Sequence, residues 1–88
     1  MTYRVVMSRS ARRKIAESLP EAVAVACLEF ALGPLADNPQ QVGAPLRAPF
    51  QGCWRARRGE YRLRYEIDDV GETVTVLDVE HRRDAYRS

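Results

Sequence analysis

The side chains with the clearest chemical potential in this sequence are arginines on either side of a glycine, in the run W-R-A-R-R-G-E-Y-R-L-R-Y from Trp54 to Tyr65. The pattern predicts a two-stranded hairpin that turns at Gly59-Glu60, because glycine at the first central position suits a type II′ turn. In that register four arginines lie on one face as two facing pairs: Arg57 with Arg62, and Arg55 with Arg64. The apolar partners meet on the other face: Trp54 with Tyr65, and Ala56 with Leu63. Like charges that face each other destabilise a sheet, so the arrangement favours a surface that holds a polyanion.

Further basic and aromatic side chains are predicted to reach the same surface. The tail after the last predicted strand brings Arg82, Arg83 and Tyr86 to one rim, and Arg47 precedes the hairpin in a loop. A groove lined in this way can bind RNA through its phosphates, and an unstacked base can lie on Tyr86 or on a guanidinium plane. Arginines on a strand are equally typical of a solvated face or of pairing with an acid such as Glu66, so the hairpin alone leaves both interpretations open.

The chemistry of such a groove is constrained by the residues that the sequence offers. Cys27 and Cys53 are isolated and His81 is the only histidine, so we predict no zinc site and no cofactor. The remaining route to RNA cleavage uses the RNA's own 2′-hydroxyl as nucleophile, with fixed arginines stabilising the charge on the phosphate. Arginine stays protonated, so the proton must pass to another group. Four side chains are candidates for that transfer: Tyr86, His81, Glu60 and Glu66.

Length and composition predict a single domain that spans residues 1–88. The 88 residues are 45% hydrophobic and 30% charged, which is ordinary for a globular protein with one modest core. The net charge is only +2, but thirteen of the fourteen basic residues are arginine, whose planar fork of donors fits phosphate. We expect a cytoplasmic protein with no membrane partner, because no apolar run is long enough for a signal peptide or a membrane span.

Hydrophobic periodicity predicts six elements in the order β-α-α-β-β-β. Their predicted bounds are Tyr3–Met7, Ala11–Leu19, Glu21–Leu32, Cys53–Arg58, Tyr61–Asp68 and Thr73–Glu80. Ser8 or Ser10 is expected to cap the first helix, and Gly33-Pro34 to break or kink the second. The fold class is therefore α+β, with two helices packed on one face of a largely antiparallel four-stranded sheet and the arginines on the open face.

The last strand is predicted to be buried on both sides and thus to lie inside the sheet. Val74 and Val76 share one of its faces, and Thr75, Leu77 and Val79 share the other.

Three segments together resemble the RelE/ParE toxin superfamily, and specifically its RelE-type mRNA interferases. R-R-G-E-Y-R-L-R-Y resembles that family's R-x-G-[DE]-Y-R-[VL]-x-Y block, and V-E-H-R-R-D-A-Y resembles its closing V-x-H-R-x-x-x-Y signature. The segment from Gly33 to Arg47 is similar to the family's link between the second helix and the sheet. The resemblance covers nearly the whole chain, and its β-α-α-β-β-β order agrees with the family's fold.

The resemblance implies the toxin of a type II toxin–antitoxin system. The RelE-type members of this superfamily are endoribonucleases that enter the ribosomal A site and cut mRNA without a metal, leaving a 2′,3′-cyclic phosphate. A RelB-like antitoxin wraps and neutralises such a toxin. By matching motif positions, the residues implied to be catalytic are Arg57, Arg62, Arg82 and Tyr86. The residues expected to bind RNA around them are Arg47, Arg55, Arg64, His81 and Arg83.

Two departures from the family pattern keep other functions open. Glu80 stands where family members often have glycine, and an arginine at position 57 is a poor proton acceptor in place of lysine. The same superfamily includes ParE-like toxins that inhibit DNA gyrase without catalysis. A third alternative is a binding module whose basic face only holds an acidic protein.

Overall fold

The computed structural model describes residues 2–81, which form two helices and five strands. The strands are β1 (Arg4–Met7), β2 (Ala44–Pro45), β3 (Trp54–Arg58), β4 (Tyr61–Asp68) and β5 (Thr73–His81). The helices are α1 (Arg9–Arg13), which continues as a π-helical segment over Lys14–Ser18, and α2 (Glu21–Phe30), which continues as a π-helical segment over Ala31–Leu35. In the described part of the chain, no helix is long and apolar enough to cross a membrane.

The α+β class is confirmed, but the predicted four-stranded sheet is wrong in detail. The sheet has five strands in the order β1-β5-β4-β3-β2, and it is mixed. Strand β1 runs parallel to β5, whereas the other neighbours are antiparallel. The additional strand, β2, pairs only Ala44 and Pro45 with β3. Two residues carry no alternating pattern, which is why the sequence indicated only a connection there.

Local sequence accounts for both helices. The Ala11 amide donates to the Ser8 side-chain oxygen at 3.1 Å, so Ser8 is the cap of α1. Pro20 immediately precedes α2. The chain remains helical through Gly33-Pro34 by widening to a π-helical segment, because proline has no amide hydrogen to donate to the preceding turn.

The core lies between the helices and one face of the sheet. Cys27, Phe30 and Leu35 from the α2 region pack with Leu63 and Tyr65 of β4, and all of them are buried. The Tyr65 hydroxyl donates to the Pro39 carbonyl at 2.6 Å, so the one polar atom of this ring is satisfied in the core.

A β-bulge in β5 reverses the alternation of that strand. Arg64 pairs with Asp78 but Tyr65 pairs with Val76, so Leu77 is an extra residue in the ladder. The prediction that Val79 shares a face with Thr75 and Leu77 is therefore wrong. Val79 joins Val74 and Val76 in the core, and the acids beside it turn to the other face.

The bulge lies where β1 leaves the sheet. The Ser8 amide donates to the Val76 carbonyl at 2.9 Å, and its hydroxyl donates to the Leu77 carbonyl at 2.7 Å. One residue thus caps α1 and satisfies the carbonyl of the extra residue in β5. This bonding fixes the position of the bulge.

Candidate functional site

The hairpin between β3 and β4 has the predicted turn and register. Gly59 has φ +53°, a conformation that suits glycine at the first turn position, and Arg58 pairs with Tyr61 on either side of the turn. The facing pairs are confirmed: Arg57 with Arg62, Arg55 with Arg64, Ala56 with Leu63, and Trp54 with Tyr65. Ala56, Leu63 and Tyr65 are buried, so the arginines lie on the face opposite the helices.

We call the surface formed by Arg55, Arg57, Arg62 and Arg64 the arginine face. Arg55 and Arg57 are exposed, whereas Arg62 and Arg64 are half-buried. Within residues 2–81, Lys14 forms an ion pair with Asp78 and the His81 ring lies 3.9 Å from Glu60, and neither contact involves the arginine face. Among the described residues, no carboxylate oxygen lies within 4.0 Å of these four charged groups, which favours binding of an anion.

A loop adds an apolar wall to the arginine face. Leu46 and Phe50 border a pocket of about 100 Å³ together with Arg55, Arg62 and Arg64. The Arg64 guanidinium carbon lies 4.7 Å from the centre of the Phe50 ring, and that ring is 45% exposed. An exposed aromatic ring beside fixed guanidinium groups can stack on an unpaired base. Phe50 was not predicted as a site residue because it lies in a connection without periodicity. Its only signal in the sequence is an aromatic side chain close to Arg47.

Two acids that were not among the predicted site residues, Asp78 and Glu80, also lie on this surface. The bulge in β5 puts Asp78 opposite Arg64 and Glu80 opposite Arg62, and both acids line the pocket. Asp78 accepts an ion pair from Lys14 at 3.2 Å and a hydrogen bond from the Val79 amide at 2.9 Å. Its carboxylate is therefore anchored to the body of the protein.

The expectation that His81 lies with the arginines is wrong. Because the bulge reverses the alternation, His81 is on the core face of β5 opposite Tyr61, and it is 7% exposed. Its Nε2 has no hydrogen-bond partner among the described residues and lies 3.9 Å from a carboxylate oxygen of Glu60 at the hairpin turn. Neither His81 nor Glu60 contributes to the pocket beside the arginines.

The remaining residues that were predicted to bind or cleave RNA come from a loop and from the C-terminal tail. Arg47 is exposed, and its carbonyl accepts a hydrogen bond from the Phe50 amide at 3.0 Å, so the loop brings it near the pocket wall. Arg82, Arg83 and Tyr86 are outside the described residues.

The shifted pKa values belong mainly to the core. Burial raises the pKa of Cys27 to about 11 and that of Tyr65 to about 12. A thiol with so high a pKa is neutral near pH 7, so Cys27 is a packing residue and not a nucleophile. Among residues 2–81, no group of three His, Cys, Asp or Glu side chains is placed to hold a metal ion.

Comparison with known proteins identifies relatives over almost the full length. Residues 5–86 match the family model described as the ParE toxin of the type II toxin–antitoxin system parDE. Two toxins of Mycobacterium tuberculosis are similar: RelG is 47% identical, covering 99% of each chain, and RelE is 42% identical, covering 97% of this chain and 87% of the relative. The toxin–antitoxin complex RelBE2 of M. tuberculosis contains a chain of the same fold, with a TM-score of 0.89 and 45% identity, covering 93% of this chain and 100% of that one.

Proposed function

This chain belongs to the ParE toxin family of type II toxin–antitoxin systems, within the RelE/ParE superfamily, and we propose that it acts as an mRNA interferase. The proposed activity is metal-independent cleavage of mRNA in the ribosomal A site, with the RNA's 2′-hydroxyl as nucleophile. The proposal treats residues 1–88 as one RelE-like toxin domain that works in the cytoplasm.

The single observation that carries the proposal is the pairing of Arg57 with Arg62 and of Arg55 with Arg64 on an uncovered sheet face. A scaffold gains nothing from like charges in register, because such pairs destabilise a sheet. A phosphodiester backbone placed between them would neutralise both pairs. The half-buried position of Arg62 and Arg64 strengthens this interaction, because partly desolvated charges are screened less by salt.

In the proposed reaction the guanidinium groups hold the phosphate and stabilise the charge that develops on it. Arg57 and Arg62 flank the hairpin turn, so the phosphate would lie between them, and by motif Arg82 would join them from the tail. Tyr86, or the exposed ring of Phe50, would stack on a base and hold the strand in place. Arg47, Arg55, Arg64 and Arg83 would bind neighbouring phosphates. His81 no longer belongs to this group, because it faces the core.

The proposed partner is a RelB-like antitoxin. Its support is the similarity to the toxin chain of the RelBE2 complex. An antitoxin would neutralise this chain most directly by placing carboxylates on the arginine face, because four arginines are gathered there and two of them, Arg55 and Arg57, are exposed. It would then compete with RNA for the same guanidinium groups.

A ParE-like inhibitor of DNA gyrase is the second candidate, because the matching family model is that of ParE toxins. A basic face also suits a binding module that only holds an acidic protein. These alternatives predict different states of the mRNA in cells that express the chain.

Induced expression followed by mapping of mRNA 5′ ends separates the three candidates. The interferase predicts growth arrest with new 5′ ends inside translated codons, and Arg62→Ala should remove both effects while the protein stays folded. Arg4→Ala is the matched control, because Arg4 is an exposed arginine opposite Thr73 at the other end of the sheet. Intact mRNA together with an SOS response and stabilised gyrase–DNA complexes would contradict the interferase proposal and favour the gyrase inhibitor. Absence of any growth arrest would leave only the binding module.

A further inference from the structure

The bulge in β5 determines which acids reach the arginine face. Without an extra residue at Leu77, strict alternation would turn Asp78 and Glu80 towards the core. The bulge instead places Glu80 directly opposite Arg62 in the ladder, and its side chain lines the pocket beside Arg55 and Arg64. Bulges of this kind often redirect a side chain next to a functional site.

The two acids of this surface have different surroundings. Asp78 is fixed by Lys14 at 3.2 Å and by the Val79 amide at 2.9 Å, which gives it a structural role. Glu80 is half-buried and has no ion-pair partner within 4.0 Å among residues 2–81. Its carboxylate therefore lies on the same surface as Arg62, and no contact among the described residues gives this acid a structural role.

Among the described residues, the proton acceptor of the proposed cleavage is still unassigned. Tyr86 lies outside those residues, and Glu60 is at the hairpin turn and does not line the pocket. Arginine cannot accept a proton, and His81 lies on the other side of the sheet. Glu66 shares the strand face with the arginines but pairs with Thr75 beyond the bulge and does not line the pocket. Of the two carboxylates that line the pocket, Glu80 is the one for which residues 2–81 provide no ion pair or hydrogen bond.

We propose that Glu80 is the general base of the cleavage reaction and accepts the proton of the attacking 2′-hydroxyl. This inference rests on the proposed function and adds a catalytic residue to it. The 2′-oxygen–hydrogen bond breaks as the proton moves to the Glu80 carboxylate, and the electron pair left on the 2′-oxygen forms the new bond to phosphorus. The bond from phosphorus to the 5′-oxygen breaks, and that oxygen leaves with its electron pair and takes a proton from water. Glu80 then returns its proton to solvent, which restores the carboxylate.

Arg62 would serve this base directly. The guanidinium group opposite Glu80 binds a non-bridging oxygen of the phosphate, which brings the adjacent 2′-hydroxyl within reach of the carboxylate.

The test is single-turnover cleavage of an mRNA codon in the A site of programmed ribosomes by the purified toxin. Glu80→Gln keeps the shape of the side chain but removes the base, so the rate of cleavage should fall about 10²–10⁴-fold. Glu80→Asp should recover part of that loss. Glu66→Gln is the matched control, because it removes the same charge from the same sheet face outside the pocket, and it should cleave within about 3-fold of the wild-type rate.

Three further readouts separate a base from a structural or electrostatic role. The wild-type rate should fall at low pH as the carboxylate is protonated, and Glu80→Gln should lack that fall. Affinity for the programmed ribosome should be unchanged or tighter in Glu80→Gln, since a negative charge is removed from a phosphate site. A substrate with sulfur in place of the 5′-oxygen has a leaving group that needs no protonation, so the loss in Glu80→Gln should persist on it.

Each other outcome overturns the inference. If the wild-type protein cleaves and Glu80→Gln cleaves within about 3-fold of it, Glu80 is not the base although the proposed function stands. If the sulfur substrate restores the rate, Glu80 acts as an acid. If Glu80→Gln loses its native circular dichroism, or binds more weakly, its role is structural. If the wild-type protein cleaves nothing, the proposed function and this inference fail together.

Discussion

Replacing Arg57 by glutamate should stabilise the isolated protein while it abolishes RNA cleavage. Arg57 lies directly opposite Arg62, and within residues 2–81 neither has an acid at ion-pair distance. Arg57→Glu converts a facing pair of like charges into a facing pair of opposite charges. The fold should therefore gain stability from a change that removes a proposed phosphate ligand.

The size of the gain follows from the position of the pair. A cross-strand charge pair contributes about 0.2–1 kcal/mol in either direction, so removing repulsion and adding attraction gives about 0.5–2 kcal/mol. Because Arg57 is exposed, a value near 1 kcal/mol is expected. In a domain of this size, 1 kcal/mol raises Tm by about 4–8 °C. Arg57→Gln, which only removes repulsion, should give about half of that rise.

Thermal unfolding at low and high salt measures the effect. The gain should shrink in 1 M NaCl, where the screening length is about 3 Å, compared with about 30 Å at 0.01 M. Arg4→Glu is the control, because it makes the same change in net charge opposite Thr73, where no arginine faces it. A similar gain in Arg4→Glu would mean that net charge alone is responsible. A lower Tm for Arg57→Glu would refute the idea that the arginine face is held together against repulsion.

Three further predictions concern the elements that support the site. Ser8→Ala should lower the free energy of unfolding by about 1–2 kcal/mol in urea titrations, because it removes the cap of α1 and the hydrogen bond of the hydroxyl at the bulge. Ser10→Ala changes an exposed helical residue and should alter this free energy little. Equal effects of the two substitutions would contradict the assigned cap. Gly43→Ala should be clearly destabilising by the same measurement, because its Cβ would lie 2.7 Å from the backbone carbonyl oxygen of Arg55. The Cβ of Gly33→Ala meets nothing within 4 Å, so this substitution should be neutral or stabilising. An unchanged free energy of unfolding in Gly43→Ala would show that this loop is placed wrongly. Burial raises the pKa of Cys27 to about 11, so its neutral thiol stabilises the fold fully below about pH 9, and this contribution is lost as the pH rises through about 11. Between pH 8 and pH 11 the free energy of unfolding of the wild-type protein should therefore fall more than that of Cys27→Ala. An equal fall in both proteins would show that the thiol is not responsible.

The arginine face could be predicted from sequence because its determinants are local. A two-residue turn with glycine at its first position fixes the register of the hairpin, and strict alternation then fixes which side chains share a face. Burial of Leu63 and Tyr65 selects the face that covers the core. No contact distant in sequence is needed to place Arg57 opposite Arg62.

The position of Glu80 was not predicted, because the pattern of its strand has two interpretations. The apolar residues of V-T-V-L-D-V-E-H change phase between Val76 and Leu77, which fits either a strand buried on both faces or a bulge. The extra residue at Leu77 is stabilised by the hydroxyl of Ser8, which lies 69 residues away in sequence. The same bulge moves His81 into the core, so one irregularity accounts for both differences on this strand. Strand β2 was not predicted, because a strand of two residues has no periodicity to detect.

The central claim is that the arginine face holds a phosphodiester whose own 2′-hydroxyl attacks it. The most direct measurement is incubation of the purified toxin with ribosomes that carry either an all-ribose mRNA or the same mRNA with a single 2′-deoxynucleotide at the cut site. We expect cleavage of the first mRNA with a 2′,3′-cyclic phosphate end, no cleavage of the second, and no cleavage of either by Arg62→Ala. Cleavage at the deoxynucleotide, or undiminished cleavage by Arg62→Ala, would contradict it.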